Sequence, residues 1–276
     1  MSDLYAVMGN PINHSKSPQI HSAFAEQTEQ DLIYSAILVP LEKFKDEADN
    51  FFRTGMGLNI TVPFKEDAWQ YADTYSSRAL RAGAVNTLIK KEDGSIHADN
   101  TDGIGMVRDI TVNHGCAIKG KRVLVLGAGG AVRGILEPVL EEKPLEVVVA
   151  NRTVSKAKAL AEDFTDIGSI SGCGFDQLEG QFDLIINGTS ASLSGDLPPI
   201  PESVIHIETT CYDMMYGAEP TVFNQWAKGL NAAATLDGLG MLVEQAAESF
   251  NAWRSVRPES SPVIESIRES LTLAKA

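Results

Sequence analysis

Several things are scarce in this sequence, and each shortage excludes a class of protein. No apolar run approaches the roughly 20 residues that span a bilayer, although 43% of the 276 residues are hydrophobic. There are three cysteines, Cys116, Cys173 and Cys211. They are odd in number, far apart and without metal-ligand spacing, which points to reduced thiols in a cytoplasmic protein, with no metal site. Basic residues are few: 23 Lys and Arg stand against 37 Asp and Glu, a formal charge of −14. Such a surface repels nucleic acid and anionic membrane, so neither is expected as a partner. If the ligands are anions, the few cations must be gathered where they bind. The opening residues Met1-Ser2-Asp3-Leu4-Tyr5 put an acid before a strand-like run, unlike a signal peptide.

The length predicts about two domains. Alternating strand-like and helical segments predict α/β architecture with a mainly parallel sheet. The organising stretch is Gly57-Leu58-Asn59-Ile60-Thr61-Val62-Pro63-Phe64-Lys65, a strand that ends at a proline and turns into a helix. Asn59 and Thr61 share one face of that strand. An amide and a hydroxyl on a buried strand destabilise it unless something polar meets them. Two further segments, Gly83 to Ile89 and Ile96 to Gly103, bring Asn86 and Asp102 to strand ends. Convergence at the carboxyl rim of a sheet is expected.

Upstream, Ser15-Lys16-Ser17-Pro18 precedes a helical pattern, with Ser17 and Pro18 placed to cap and start it. Two hydroxyls and a lysine at a helix N-terminus suit a carboxylate or a phosphate.

Near Gly120 the chain restarts with Val123-Leu124-Val125-Leu126, then Gly127-Ala128-Gly129-Gly130-Ala131 and a helix. This is a dinucleotide fingerprint in its proper strand–turn–helix setting. Val132 stands where a third small residue is usual, which predicts slightly wider helix–strand packing. The next strand ends in Asn151-Arg152-Thr153 with Lys156 close behind. An acid at that place would hold a ribose hydroxyl, whereas arginine grips a 2′-phosphate, so NADP is expected. Asp183 to Ser190 reads as another strand with a polar turn, His206 to Tyr212 as a strand, and Leu236 onward as the approach to a long helix. On that helix Gln245 interrupts an apolar stripe, as a satisfied core amide or as a ligand contact.

Ser15 to Pro18, Asn59 to Lys65, Gly83 to Thr87, Asn100 to Gly103, Gly127 to Ala131, Asn151 to Thr153 and Asp237 to Gln245 follow one another here as in the shikimate dehydrogenase family, which the chain resembles from Tyr5 to about Trp253. The resemblance implies a substrate domain of residues 1–102 plus 238–276 and a Rossmann-type NADP-binding domain of residues 103–237. It implies that Ser15 and Ser17 bind a carboxylate and that Asn59, Thr61, Asn86, Asp102 and Gln245 hold ring hydroxyls, with Tyr216 near the ligand. Lys65 and Asp102 would form the catalytic pair. Gly127, Ala128, Gly129, Gly130, Ala131, Asn151, Arg152, Thr153, Lys156, Thr189, Ser190, Gly238 and Met241 would contact NADP(H). Gly217 to Val222 departs from the family's usual order. The implied reaction is NADPH-dependent reduction of 3-dehydroshikimate to shikimate by a monomer or homodimer. The alternatives are a quinate/shikimate relative using NAD, a non-catalytic NADP-binding regulator, and another two-domain dehydrogenase such as a tetrahydrofolate enzyme. The last leaves the Ser-Lys-Ser site unexplained, and the regulator leaves the Lys65 and Asp102 pair without a task.

Overall fold

Two six-stranded sheets, each with its own core, organise the chain in the computed structural model, which describes residues 2–191 and 195–273. The residues up to Gly105 and Val243–Val263 form one unit, and Met106–Leu242 with Ile264 onward form the other. The sequence expectation kept everything after Gly238 with the first unit; in the structure Gly238 to Leu242 and the chain from Ile264 group with the second.

In the first unit the elements run β1 (Asp3–Gly9), α1 (Ser17–Gln27), β2 (Leu32–Leu38), α2 (Phe44–Phe51), β3 (Gly55–Ile60), α3 (Lys65–Tyr71), β4 (Thr74–Tyr75), α4 (Ser77–Ala82), β5 (Thr87–Lys90), β6 (Ile96–Asp99) and the start of α5 (Asp102–Arg108). The sheet order is β2-β1-β3-β5-β6-β4. Only β5 runs against its neighbours β3 and β6. Its reversal follows from a tight turn in which Asp93 Oδ1 accepts from the Ser95 N–H at 2.9 Å. The reversal also corrects one expectation. Asn86 precedes the amino end of β5, and it reaches the rim because a reversed strand presents its start where β3 and β6 present their ends. Ser17 also differs from expectation. It is the first residue of α1, Lys16 takes the cap position without a side-chain bond, and Ser15 Oγ instead accepts the Ser17 N–H at 3.3 Å.

Leu58, Ile60, Phe64, Leu88 and Ala98 close one face of this sheet. On the other face His21, 1% exposed, stacks on Tyr34 at 4.2 Å between centroids. Neither ring nitrogen has a hydrogen-bonded partner among the described residues.

The second unit continues through β7 (Arg122–Leu126), α6 (Gly130–Glu141), β8 (Glu146–Ala150), α7 (Val154–Glu162), β9 (Ile170–Cys173), β10 (Leu184–Asn187), β11 (Thr210–Asp213), α8 (Val222–Gly229) and β12 (Ala234–Asp237). Two further helices, α9 (Leu239–Arg254) and α10 (Ser261–Leu273), divide their residues between the units. The order β12-β11-β10-β7-β8-β9 is parallel throughout. Val123 to Leu126 are fully buried, as a central parallel strand covered on both faces requires. The expected strand His206 to Tyr212 begins only at Thr210, because a turn that His206 and Thr209 close by a 2.9 Å hydrogen bond precedes it.

Burial pulls His21 down from an ordinary 6.5 to about 3, and the nearby Asn59 side chain offsets only part of that effect. The folded chain therefore refuses a proton that the unfolded chain accepts below pH 6.5. This contribution is complete above 6.5 and is lost as pH falls towards 3, reaching about 2 kcal/mol by pH 5. Urea unfolding at pH 7 and pH 5 should show that decline in wild type and a shallower one in His21→Phe; equal declines would refute the assignment.

Candidate active site

The loop after β3 delivers Lys65 to the start of α3, and the loop after β6 delivers Asp102 to the start of α5. The Lys65 ammonium donates to Asp102 Oδ2, their side chains 31% and 18% exposed. Half-buried, that pair interacts more strongly than surface ion pairs do. Asn86 Nδ2 donates to Asp102 Oδ1 at 2.9 Å and to Gln245 Oε1 at 3.2 Å. Lys65, Asn86, Asp102 and Gln245 thus form one cluster from four segments of the first unit. Gln245 is half-buried on α9 and engaged through its carbonyl oxygen.

Asn59 is 6% exposed, and its amide is satisfied internally. Its Oδ1 accepts from the Tyr34 hydroxyl at 2.8 Å, and its Nδ2 faces Asn86 O, Thr87 Oγ1 and Ser249 Oγ at 3.0–3.2 Å. Thr61 differs: its hydroxyl makes no hydrogen bond among the described residues, and its backbone N–H is tied to Met8 O at 2.9 Å. Ser15 and Ser17 are half-buried at the start of α1. Below the cluster, Arg78 clamps the Asp99 carboxylate through Nε and Nη2 at 2.8 and 2.6 Å. Burial raises the Asp99 carboxyl, but the bonds and charge of Arg78 and the Ser76 hydroxyl outweigh it and leave the group below its usual range. Sequence reading singled out none of Arg78, Thr87 and Ser249; a buried hydroxyl gives no pattern until its partners are known.

In the second unit a cleft of about 600 Å³ opens at the end of β7. Gly127 to Ala131, Asn151, Arg152, Thr189 and Ser190 line it, together with Phe175 and Asp196 to Pro199, which sequence reading did not single out. Gly127 has φ +106°, a conformation open to glycine. The first turn of α6 points uncapped N–H groups into this cleft, and open space surrounds Gly129 and Gly130, so a diphosphate fits there. Exposed Arg152 pairs with no carboxylate among the described residues, which suits a ligand phosphate. Thr153 and Lys156 are exposed at the start of α7 outside the cleft lining. Met241 is buried in the core of this unit, and Gly238 packs on the Met214 backbone. Tyr216 belongs to the second unit; burial first and then the Asp237 carboxylate raise its phenol. The segment after it is tied down by Arg268, which donates to Gly217 O at 2.9 Å and Asp237 Oδ1 at 2.5 Å.

Val132 is accommodated by a glycine at the adjoining strand end. Its side chain is fully buried and fills the place where Gly188 has none: a methyl on Gly188 would lie 2.5 Å from Val132 Cγ2. The bulk expected to push α6 away is taken up by the neighbouring strand end.

A parallel sheet with a glycine turn for a dinucleotide, and a separate α/β unit carrying an ammonium–carboxylate pair among hydroxyls and amides, define a two-unit dehydrogenase. Family models described as the shikimate dehydrogenase substrate binding domain, shikimate / quinate 5-dehydrogenase and the shikimate 5′-dehydrogenase C-terminal domain match residues 7–88, 110–194 and 238–268. The chain belongs to the shikimate dehydrogenase family. It is 61% identical to a shikimate dehydrogenase (NADP(+)) of Cellvibrio japonicus over 98% of this chain and 99% of that one, and 61% identical to one of Alkalilimnicola ehrlichii over 97% and 99%. The structure of shikimate 5-dehydrogenase from Thermus thermophilus in complex with NADP(H) and shikimate superposes with a TM-score of 0.86 at 34% identity, covering 98% of this chain and 100% of that one.

The close fit of Val132 and Gly188 is testable. Gly188→Ala should destabilise the protein by about 1–3 kcal/mol through overpacking, and adding Val132→Ala should return part of that loss in thermal unfolding. Additive losses in the double variant would show that the two positions do not compete for space.

Proposed function

We propose that this chain catalyses the reversible NADPH-dependent reduction of 3-dehydroshikimate to shikimate in aromatic amino-acid biosynthesis. The observation that carries this reading is the Lys65–Asp102 ion pair, held within hydrogen-bond reach of Asn86 and linked through it to Gln245. Interconverting a secondary alcohol and a ketone moves a hydride at carbon and a proton at oxygen. Bound NADP(H) supplies the hydride chemistry. The chain's own residues handle the proton: Lys65 Nζ gives it to the carbonyl oxygen in reduction and accepts it from the hydroxyl in oxidation. Asp102 aims the ammonium and steadies its charge.

In this reading Ser15 and Ser17 take the carboxylate, while Thr61, Asn86, Asp102 and Gln245 hold ring hydroxyls, with Asn59 behind them and Tyr216 at the ligand's edge. Gly127 to Ala131 receive the diphosphate, and Asn151, Arg152, Thr153 and Lys156 the 2′-phosphate. Thr189, Ser190, Gly238 and Met241 complete the dinucleotide contacts. The domain roles follow: residues 1–102 with 238–276 serve the acid and 103–237 the cofactor. We place the protein in the cytoplasm as a monomer or homodimer; no described helix is long and apolar enough to cross a membrane. A second reading, oxidation of quinate beside shikimate, is favoured by the family model spanning both acids over residues 110–194.

A spectrophotometric assay with shikimate, quinate, NADP⁺ and NAD⁺ tests both readings. Lys65→Ala should lower kcat by about 10²- to 10⁴-fold with KM little changed. Wild-type protein that binds NADP⁺ without turning over shikimate would end the proposal. Arg152→Gln should raise KM for NADP⁺ about tenfold or more while leaving NAD⁺ nearly untouched; equal effects on the two cofactors would remove Arg152 from the 2′-phosphate.

A further inference from the structure

The orientation of the Asn86 amide is decided inside the protein. Its Oδ1 accepts from the Thr101 N–H at 2.9 Å and from the Thr87 hydroxyl at 2.9 Å, so its Nδ2 is left to donate, to Thr101 Oγ1 and Asp102 Oδ1 at 2.9 Å and to Gln245 Oε1 at 3.2 Å. Turned over, the amide would set an oxygen against a carboxylate and a second carbonyl. The two ends of an amide have nearly the same shape, so hydrogen-bond direction, not packing, must choose between them.

Together with the Thr101 N–H, that direction is set by hydroxyls with no exposed surface, those of Thr87, Thr101 and Ser249. One assignment uses each hydroxyl proton once. Thr101 Oγ1 donates to Ser249 Oγ at 3.2 Å, Ser249 Oγ donates to Thr87 Oγ1 at 2.8 Å, and Thr87 Oγ1 donates to Asn86 Oδ1 at 2.9 Å. Behind them the Tyr34 hydroxyl fixes the Asn59 amide, whose Nδ2 donates to Asn86 O at 3.1 Å. Donation therefore runs one way, from Thr87 through the Asn86 amide to Asp102, where it meets the ammonium of Lys65 from the other side, while Tyr34 and Asn59 hold the Asn86 backbone carbonyl.

We propose that Thr87 and Ser249 are positioning residues that orient Asn86 so that it donates to Asp102 Oδ1, leaving Oδ2 for Lys65. This rests on the reading of Lys65 and Asp102 as the catalytic pair. A network serving stability alone would, when broken, lower the melting temperature and leave turnover and its pH dependence unchanged. A network that sets the pair will change its protonation when broken, because a carboxylate stripped of a donor holds its proton more tightly.

The test is steady-state oxidation of shikimate by NADP⁺ across pH in wild type, Thr87→Val, Thr87→Ser and Ser249→Ala. Thr87→Val keeps the shape and removes the donor. It should lower kcat about tenfold or more, move the acid limb of the pH profile to higher pH and leave KM for NADP⁺ within about twofold. Thr87→Ser should restore both kcat and the profile. A folded Thr87→Val with a lowered melting temperature but wild-type kcat and pH profile would overturn the proposal. Should Thr87→Val not fold, Ser249→Ala decides by the same two readouts. Wild-type protein without turnover would overturn the underlying reading, and this proposal with it; turnover in wild type and unchanged kinetics in the variants would overturn this proposal alone.

Discussion

An ammonium and a carboxylate, neither fully exposed, sit together at the rim of the first sheet, and their surroundings follow from that placement. A half-buried pair destabilises the fold unless its remaining lone pairs are met. Here Asn86 meets the second carboxylate oxygen. The need then passes inward, since a buried amide must itself be satisfied on both ends. Thr87, Thr101, Gln245 and Ser249 answer it, and beneath them Arg78 fixes Asp99, whose side chain also accepts the Asn100 N–H just ahead of Asp102. The polar content of this core is thus a chain of obligations that starts at one charged pair.

The second unit solves a different problem. Its sheet is buried on both faces, with interior polar groups such as Tyr212 and Asp109 paired at 2.8 Å, and its cleft is lined from the strand ends and the segments that follow them. The turn after β7 must bring backbone close to a ligand, and this leaves room for only small residues nearby. The bulk of Val132 is tolerated because a glycine stands opposite at the end of β10. Smallness is a shared property of the turn and the adjoining strand, and the loss of one small residue is offset by another.

Much of this was legible in the sequence, and the reasons are specific. The run from Gly57 to Lys65 announced a strand end with a polar face, and the glycine turn and Arg152, both of which line the cleft, announced a dinucleotide-binding unit. These signals are local, carried by a few consecutive residues. What escaped was set by partners remote in the chain. The pairing of β5 with β3, remote in the chain, brings Asn86, just before the amino end of β5, beside the end of β3. The short strands β4, β9 and β12 left no periodicity to read. Ser17 was expected to cap α1 because serine before proline usually does, yet the chain enters the helix one residue earlier. The roles of Thr87, Ser249 and Arg268 were invisible because each is defined by a contact with another segment.

The reversed strand also shapes what the chain can tolerate over time. Turning back on itself through four exposed residues, Lys91 to Gly94, puts the hairpin tip at the edge of the sheet away from Asn86. Lengthening a surface loop carries only a small entropic penalty. Residues inserted at that tip would therefore lie on the surface and leave the opposite rim untouched.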